Sequence, residues 1–265
     1  MDITADDIDE AHYYKHTNTL EADEILIGPN LGTVRFRGSI KAKASITAKT
    51  GSGIAADGDI HAGRGIHIHR DIRAGGNVRS DGSIYAGWGI NANRGIVAKG
   101  NITADGGIRS GGDINSGRQI YVKGGITAEG GITANWGIHT IWAINAFGRI
   151  AAGRDVNSDG GIYAREGINA GASITVGRRL ISGGDITAGA HISTVWGIEG
   201  DRGIHAGGKI DVGGDIDACG NIHAGGGISA AWISTPGQIS AGIKDSPEQI
   251  KAEIRKGTVV PPEGT

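Results

Sequence analysis

The stretch Gly124-Gly125-Ile126-Thr127-Ala128-Glu129-Gly130-Gly131-Ile132-Thr133-Ala134-Asn135 is two copies of one six-residue unit that differ only in the last residue. Carried outwards in both directions, the same register places an aliphatic residue at every sixth position from Ile54 to Ile228. These thirty positions are filled by Ile except at Val78, Val156 and Leu180. Two residues after each aliphatic stands a small residue, usually Ala or Ser, as in Ile60-His61-Ala62. A spacing of two puts both on one side of an extended strand and the residue between them on the other. The Gly, Asp and Asn that follow accept left-handed backbone conformations, which predicts a corner turned through such a residue.

A six-residue strand-and-corner unit closes into a prism if three units make one coil, and two residue classes repeat accordingly. Trp88, Trp142, Trp196 and Trp232 are spaced 54, 54 and 36 apart, all multiples of 18, while Trp136 falls outside the row. The small residue is replaced by a bulkier aliphatic at Ile68, Val122, Val176 and Val212, again spaced 54, 54 and 36. The equivalent positions on the other two sides, from Ala56 to Ala224, hold only Ala, Ser or Gly200. The pattern predicts an all-β fold, a single-stranded, three-sided parallel β-helix with 18 residues per coil and about ten regular coils. At a strand spacing of roughly 4.8 Å these would stack to about 48 Å. A solenoid exposes open strand edges and apolar core at its ends, so each end needs a cap or a partner.

Composition agrees with that architecture and narrows function. The 265 residues include 50 Gly, and 41 Ile stand against 4 Leu, a bias toward strands and tight turns and away from helical bundles. With 26 basic and 28 acidic residues there is no electrostatic case for a nucleic-acid partner. No apolar run is long enough for a membrane span, and the acidic start Met1-Asp2-Ile3-Thr4-Ala5-Asp6-Asp7 is unlike a secretory signal. The expected setting is cytoplasmic, consistent with a single cysteine, Cys219, that has no internal disulfide partner.

Three segments follow. Residues 1–33 are expected to be an N-terminal extension or cap, 34–243 the β-helix with strict hexads over 54–231, and 244–265 a C-terminal helix and tail. The eight-residue step from Ile46 to Ile54, through Lys49-Thr50-Gly51-Ser52-Gly53, predicts a bulged corner. Near the C-terminus Ser246 reads as a helix N-cap before Pro247 and Glu248, and Ile250 and Ile254 fall on one helical face. They predict a short capping helix over the last coil.

Runs such as Gly58-Asp59-Ile60-His61-Ala62 and Gly184-Asp185-Ile186-Thr187-Ala188 resemble the G-D-I-x-A strings of bactofilins. The resemblance is one of repeat style over about residues 34–231. It implies a right-handed triangular β-helix of a cytoskeletal protein that polymerises end to end. The strict hexad, the corner Trp residues and the C-terminal segment depart from that pattern. The hexad is also similar to that of left-handed β-helix acyltransferases, whose small residue lies before the aliphatic and not after it. A third resemblance is to Gly-rich G-x-I-x-A-G repeat proteins of phages and mobile elements.

Candidate sites are few. Trp88, Trp142, Trp196 and Trp232 share a position with several Arg residues and so face solvent at a corner; they form either an interaction edge or a cover over Gly-rich backbone. His205 and His223 are 18 apart and should stack about 5 Å apart on adjacent coils. No third ligand stands at a convincing spacing, so the pair reads as surface decoration and no metal or cofactor is expected. His67 and His69 read the same way. Asp59, Asp71, Asp113, Asp155, Asp185 and Asp215 sit beside the core aliphatic at turn-like positions and read as corner chemistry, not catalytic acids. No catalytic residues are expected. The chain is read as a non-enzymatic structural or assembly protein whose partner is itself, through its ends or its Trp edge. The alternative is a monomeric binding or inhibitor protein that presents a solenoid face to a macromolecule.

Overall fold

The computed structural model describes residues 1–242 and 250–261. These form 37 strands, β1 (Asp2–Ile3) to β37 (Ile250–Val259), and the described residues contain no helix beyond the 3-10 turn Ala5–Asp7. The chain divides into two compact units, residues 1–135 and 136–265. Each is a parallel β-solenoid built mostly from three-residue strands.

In the first unit β11 (Val78–Ser80) lies between β8 (Ile60–Ala62) and β14 (Ile96–Ala98), with Val78 paired to Ile60 on one side and Ile96 on the other. In the second, β24 (Val156–Ser158) lies between β21 (Ile138–Thr140) and β27 (Ile174–Val176), with Val156 paired to Ile138 and Ile174. Eighteen residues therefore make one coil, and equal residues lie one above another. Core aliphatics are almost fully enclosed, as are Ile68, Val122, Val176 and Val212 on the third face. Removing each such side chain from water contributes about 1.5–3 kcal/mol, repeated along every column.

The regular coil begins earlier than the hexads do. β2 (Leu20–Ala22) and β3 (Ile25–Ile27) already pair in parallel with β5 (Ile40–Ala42) and β6 (Ile46–Ala48), so solenoid rungs lie inside the segment expected to be an extension. Leu20 pairs with Ile40, and Ile40 with Ile60, a twenty-residue coil with two residues to spare. The expected bulged corner takes up such a surplus: Gly51 has φ +77°, and Ser52 N–H donates to the Lys49 carbonyl at 3.0 Å. The buried Ser52 hydroxyl then donates to the Gly28 carbonyl and accepts from Leu31 N–H, tying the loop to the coil before.

Corners between Ile54 and Ile228 turn differently from the expectation. Positive φ occurs, among described glycines, only at Gly32, Gly51, Gly242 and Gly257, none of them inside the hexad run. Hexad corners thus need no left-handed residue. Gly serves close approach: a Cβ on Gly82 would collide with the Arg64 carbonyl oxygen directly beneath it, and one on Gly184 with that of Glu166. Buried serines bind the corners from inside, Ser80, Ser110, Ser116 and Ser158 donating to the carbonyls of Arg64, Arg94, Gly100 and Trp142, each 16 residues earlier.

The capping helix is corrected to a strand. β36 (Ile228–Ala241) runs through three faces without a break, its Ile228, Ile233 and Ile239 stacked on Ile210, Ile216 and Ile222. β37 pairs with it in parallel, matching Ile228 to Ile250, Ile233 to Ile254 and Ile239 to Val259. Ile250 and Ile254 fit one helix face, but they also fit consecutive sides of the prism. A strand gives the open edge of β36 hydrogen-bond partners that a helix would not supply. Ser246, the expected N-cap, lies outside the described residues.

At the opposite terminus residues 12–14 cover the first coil. Tyr14 N–H donates to the Arg35 carbonyl at 2.8 Å, and the Tyr14 ring lies 5.4 Å from that of the buried Phe36. Asp7 anchors this segment, its carboxylate accepting from Thr4 N–H at 2.8 Å, from Thr4 Oγ1 at 2.9 Å and pairing with His16 Nε2 at 2.9 Å. These bonds, that from the Thr4 backbone foremost, hold the Asp7 pKa below its ordinary value.

Two outcomes follow from the ends. A depressed carboxyl pKa contributes stability that is complete above the unfolded value, about pH 4, and is lost as pH falls through the folded value. Amide exchange at Tyr14 and Arg35 should therefore accelerate below about pH 4 relative to core amides, and Asp7→Asn should remove that pH dependence; an unchanged ratio refutes the anchor. Deleting residues 243–265 should bare the edge of β36 and raise light scattering at constant protein concentration. A truncated chain as monodisperse as the full one would show that β37 protects nothing.

Candidate interaction surface

The position two before each core aliphatic lies outside a corner, where the chain has left one strand and not entered the next. Trp88, Trp142 and Trp196 occupy it ahead of Ile90, Ile144 and Ile198 and remain 53%, 69% and 61% exposed. One coil later the same position is Gly106, Gly160 or Gly214, and a Cβ on Gly160 would lie 2.7 Å from the carbonyl carbon of Trp142. The backbone of each Trp is thus seated on the next corner while the indole stays largely in water.

Arginine supplies the ring contacts. The Arg70 guanidinium lies 4.4 Å from the Trp88 ring centroid, and that of Arg178 lies 5.9 Å from Trp196, each from the coil before. Off the row, Trp136 is covered by Arg154 at 5.4 Å. A guanidinium over an indole is a weakly attractive cation–π contact that keeps the ring upright. One side of the Trp88 and Trp196 rings is thus used at the corner, and the remainder is open.

Trp232 departs from the expected edge. Ile216 pairs with Ile233, so Trp232 stands one residue before its aliphatic, and Ala231 takes the outward place with its N–H on the Gly214 carbonyl at 2.7 Å. Trp232 is opposite Glu253 of β37, half-buried, with the Arg255 guanidinium 4.6 Å from its ring centroid. The step from Ile228 to Ile233 is five residues, which a Trp spacing of 36 conceals.

The second unit carries a broader patch than the Trp pattern alone indicates. Along β22 (Ile144–Ala146), β25 (Ile162–Ala164), β28 (Leu180–Ser182) and β31 (Ile198–Gly200), the outward residues Asn145, Tyr163, Ile181 and Glu199 are in register. Trp142 and Trp196 stand on the corner entering this face, three coils or roughly 14 Å apart. Ile141 and Val195, next to Trp142 and Trp196 in sequence, are exposed on the same corner, Tyr163 on the face itself, and Phe147 on the corner that leaves it. The Trp142 carbonyl accepts from Thr140 Oγ1 at 2.8 Å and Ser158 Oγ at 2.6 Å, which fixes the backbone that carries this ring. Phe147, Tyr163 and Val195 were missed because they vary among outward positions, although the pairing of Tyr163 with Ile181 at an interval of 18 was there to be read.

A different face of this unit holds the histidines. His205 pairs with His223 in register, and the rings stack at 4.8 Å with planes 13° apart, as the spacing predicts. His223 Nδ1 lies 2.7 Å from Ser240 Oγ. Water withheld from one face of His205, together with the neighbouring His223 charge, lowers its pKa. In the first unit His67 stacks instead on Tyr85 at 4.6 Å and is 6.5 Å from His69. Cys219 is an exposed free thiol. Among the described residues no group of three or more His, Cys, Asp or Glu is placed to share a metal.

Five of the corner aspartates have one task in common. Oδ1 of Asp59, Asp71, Asp113, Asp155 and Asp185 accepts from the backbone N–H 18 residues later, at Asn77, Gly89, Gly131, Ser173 and Gly203. Each carboxylate pairs a corner donor of the next coil that the strand ladder does not reach.

The fold and surface define a parallel β-solenoid of 18-residue coils with an exposed aromatic face. No protein-family model, curated protein or solved structure matches this chain. No helix among the described residues is long and apolar enough to cross a membrane.

Replacing Asp155 by Ala should lower stability by about 1 kcal/mol, as expected for one lost hydrogen bond of a partly exposed donor. Asp155→Asn, which keeps an acceptor, should lose less. Equal urea midpoints for the two variants would show that the pairing contributes through charge and not through acceptance.

Proposed function

We propose that the protein is a non-enzymatic solenoid scaffold that associates with a second copy of itself through the face carrying Trp142 and Trp196. The observation that carries this reading is the cluster of large apolar side chains left in water on that face: Trp142, Phe147, Tyr163, Val195 and Trp196 are each at least 43% exposed. Contiguous exposed aromatics with arginine among them have the composition of binding hot spots. The fixed backbone at Trp142 lowers the ordering cost of docking.

Charge of both signs on the face suits a second copy as the occupant. Arg165 with Glu166 and Asp201 with Arg202 are exposed side by side, Arg178 and Asp217 are exposed on other coils, and Arg179 pairs with Glu199 at 3.5 Å within the chain. An antiparallel neighbour can set Asp201 and Asp217 of one chain against Arg165 and Arg178 of the other, the self-complementary arrangement of a two-fold interface. A non-enzymatic role is supported by the corner aspartates, which are occupied in backbone pairing. Similarity of repeat style to bactofilins supports assembly as the class of function. The covered first coil and the strand β37 favour lateral over end-to-end contact.

A second reading, a monomeric binding or inhibitor protein that offers the same face to another macromolecule, draws on those covered ends. Sedimentation or light scattering over a concentration series separates the two. The scaffold reading expects association that rises with concentration and is weakened at least tenfold by Trp142→Ala with Trp196→Ala, at unchanged circular dichroism. A chain monomeric at every concentration selects the second reading. Association unaffected by the double substitution refutes the role of this face.

A further inference from the structure

We propose that His205 and His223 form a two-imidazole site for a divalent first-row transition ion of the zinc, copper and nickel group. This site lies on a different face of the solenoid from the aromatic patch and does not depend on the scaffold reading. Its foundation is the register: His205 and His223 are direct neighbours on consecutive parallel strands, so both imidazoles leave the same face at the same height. Their ring centroids are 4.8 Å apart. An ion bonded to one nitrogen of each ring at about 2.1 Å spans up to about 4.2 Å between the nitrogens. A tilt of the two rings toward each other closes the difference, and rotation of a histidine about χ2 is soft.

The rung that follows places a hydroxyl against one nitrogen of His223. Ser240 Oγ lies 2.7 Å from His223 Nδ1. With Nδ1–H donating to that oxygen, the lone pair resides on Nε2, the nitrogen directed away from the backbone. Ligating histidines are oriented by such a hydrogen bond at the other ring nitrogen. In that tautomer Ser240 is a positioning residue and His223 a ligand.

Space for the remaining ligands is present. The two rings border a depression of about 400 Å³ that Asp185, Thr187, Asn221 and Gln238 also line. Admitted water completes a coordination sphere of which the protein supplies two nitrogens. The absence of a third protein ligand made the pair look ornamental in the sequence. An open, partly hydrated site needs fewer protein ligands than a closed structural one. His67 and His69 lack these features, since His67 is stacked on Tyr85 and the two rings are edge to face.

Calorimetric titration of the full chain with ZnCl₂ tests the site, with histidine nitrogen shifts in two-dimensional NMR as a second readout. The expected result is one Zn²⁺ per chain and a shift of the His205 and His223 nitrogens. His205→Gln and His223→Gln should each weaken binding at least tenfold, and Ser240→Ala several-fold, with unchanged circular dichroism. His67→Gln and Cys219→Ser should bind as the parent does. Absence of binding by the parent chain at millimolar Zn²⁺ overturns the proposal. So does full binding by the doubly substituted His205→Gln, His223→Gln chain, or loss of binding on Cys219→Ser.

Discussion

Everything in this protein rests on in-register parallel stacking at a repeat of 18 residues. Within each unit a residue is bonded chiefly to its counterparts one coil before and one coil after, as Val78 is to Ile60 and Ile96. That single constraint sorts the amino acids. The aliphatic must be Ile or a near equivalent, because its neighbours above and below are Ile and the column has one width. The residue two along must be small wherever two walls of the prism meet. Corner residues must satisfy a backbone donor or come close to a carbonyl, and Asp and Gly meet those two needs respectively.

The same constraint turns single side chains into columns with shared properties. Five carboxylates become acceptors for the coil that follows, two histidines become a stacked pair, and residues as separate in sequence as Tyr163 and Ile181 become neighbours. Surface ion pairs follow suit, Lys99 with Asp81 at 3.0 Å and Lys123 with Asp105 at 2.9 Å joining consecutive coils. Exposed pairs of this kind contribute little energy singly. Their regular spacing nevertheless opposes a slip of one residue, which would place like charges and buried Ile in the wrong positions together.

Where the interval was constant, the sequence disclosed the structure. The aliphatic column, the third-face Ile68, Val122, Val176 and Val212, the stacked imidazoles and the loop before Ile54 were all legible because a fixed period converts position into geometry. Where the interval changes, that conversion fails. One residue fewer between Ile228 and Ile233 moves Trp232 off the outer corner and under β37, and a count in multiples of 18 cannot register it. The C-terminal segment was misread for a related reason: four residues between Ile250 and Ile254 suit a helix locally, and only the unpaired edge of β36 makes strand the better outcome. Glycine misled through its usual association with left-handed turns, whereas here the lack of a side chain matters because a carbonyl of the coil before lies where a Cβ would be.

The aspartate pairings have a direction. In each pair the acceptor comes first in the chain and the donor 18 residues later, as with Asp155 and Ser173. During synthesis from the N-terminus, the carboxylate is therefore in place before the backbone it will hold exists. Each completed coil presents the next with the interior column to continue and with a ready acceptor at its corner. Growth in that order adds one short-range closure at a time, and a protein whose final contacts form a long array can be assembled without a search for distant partners.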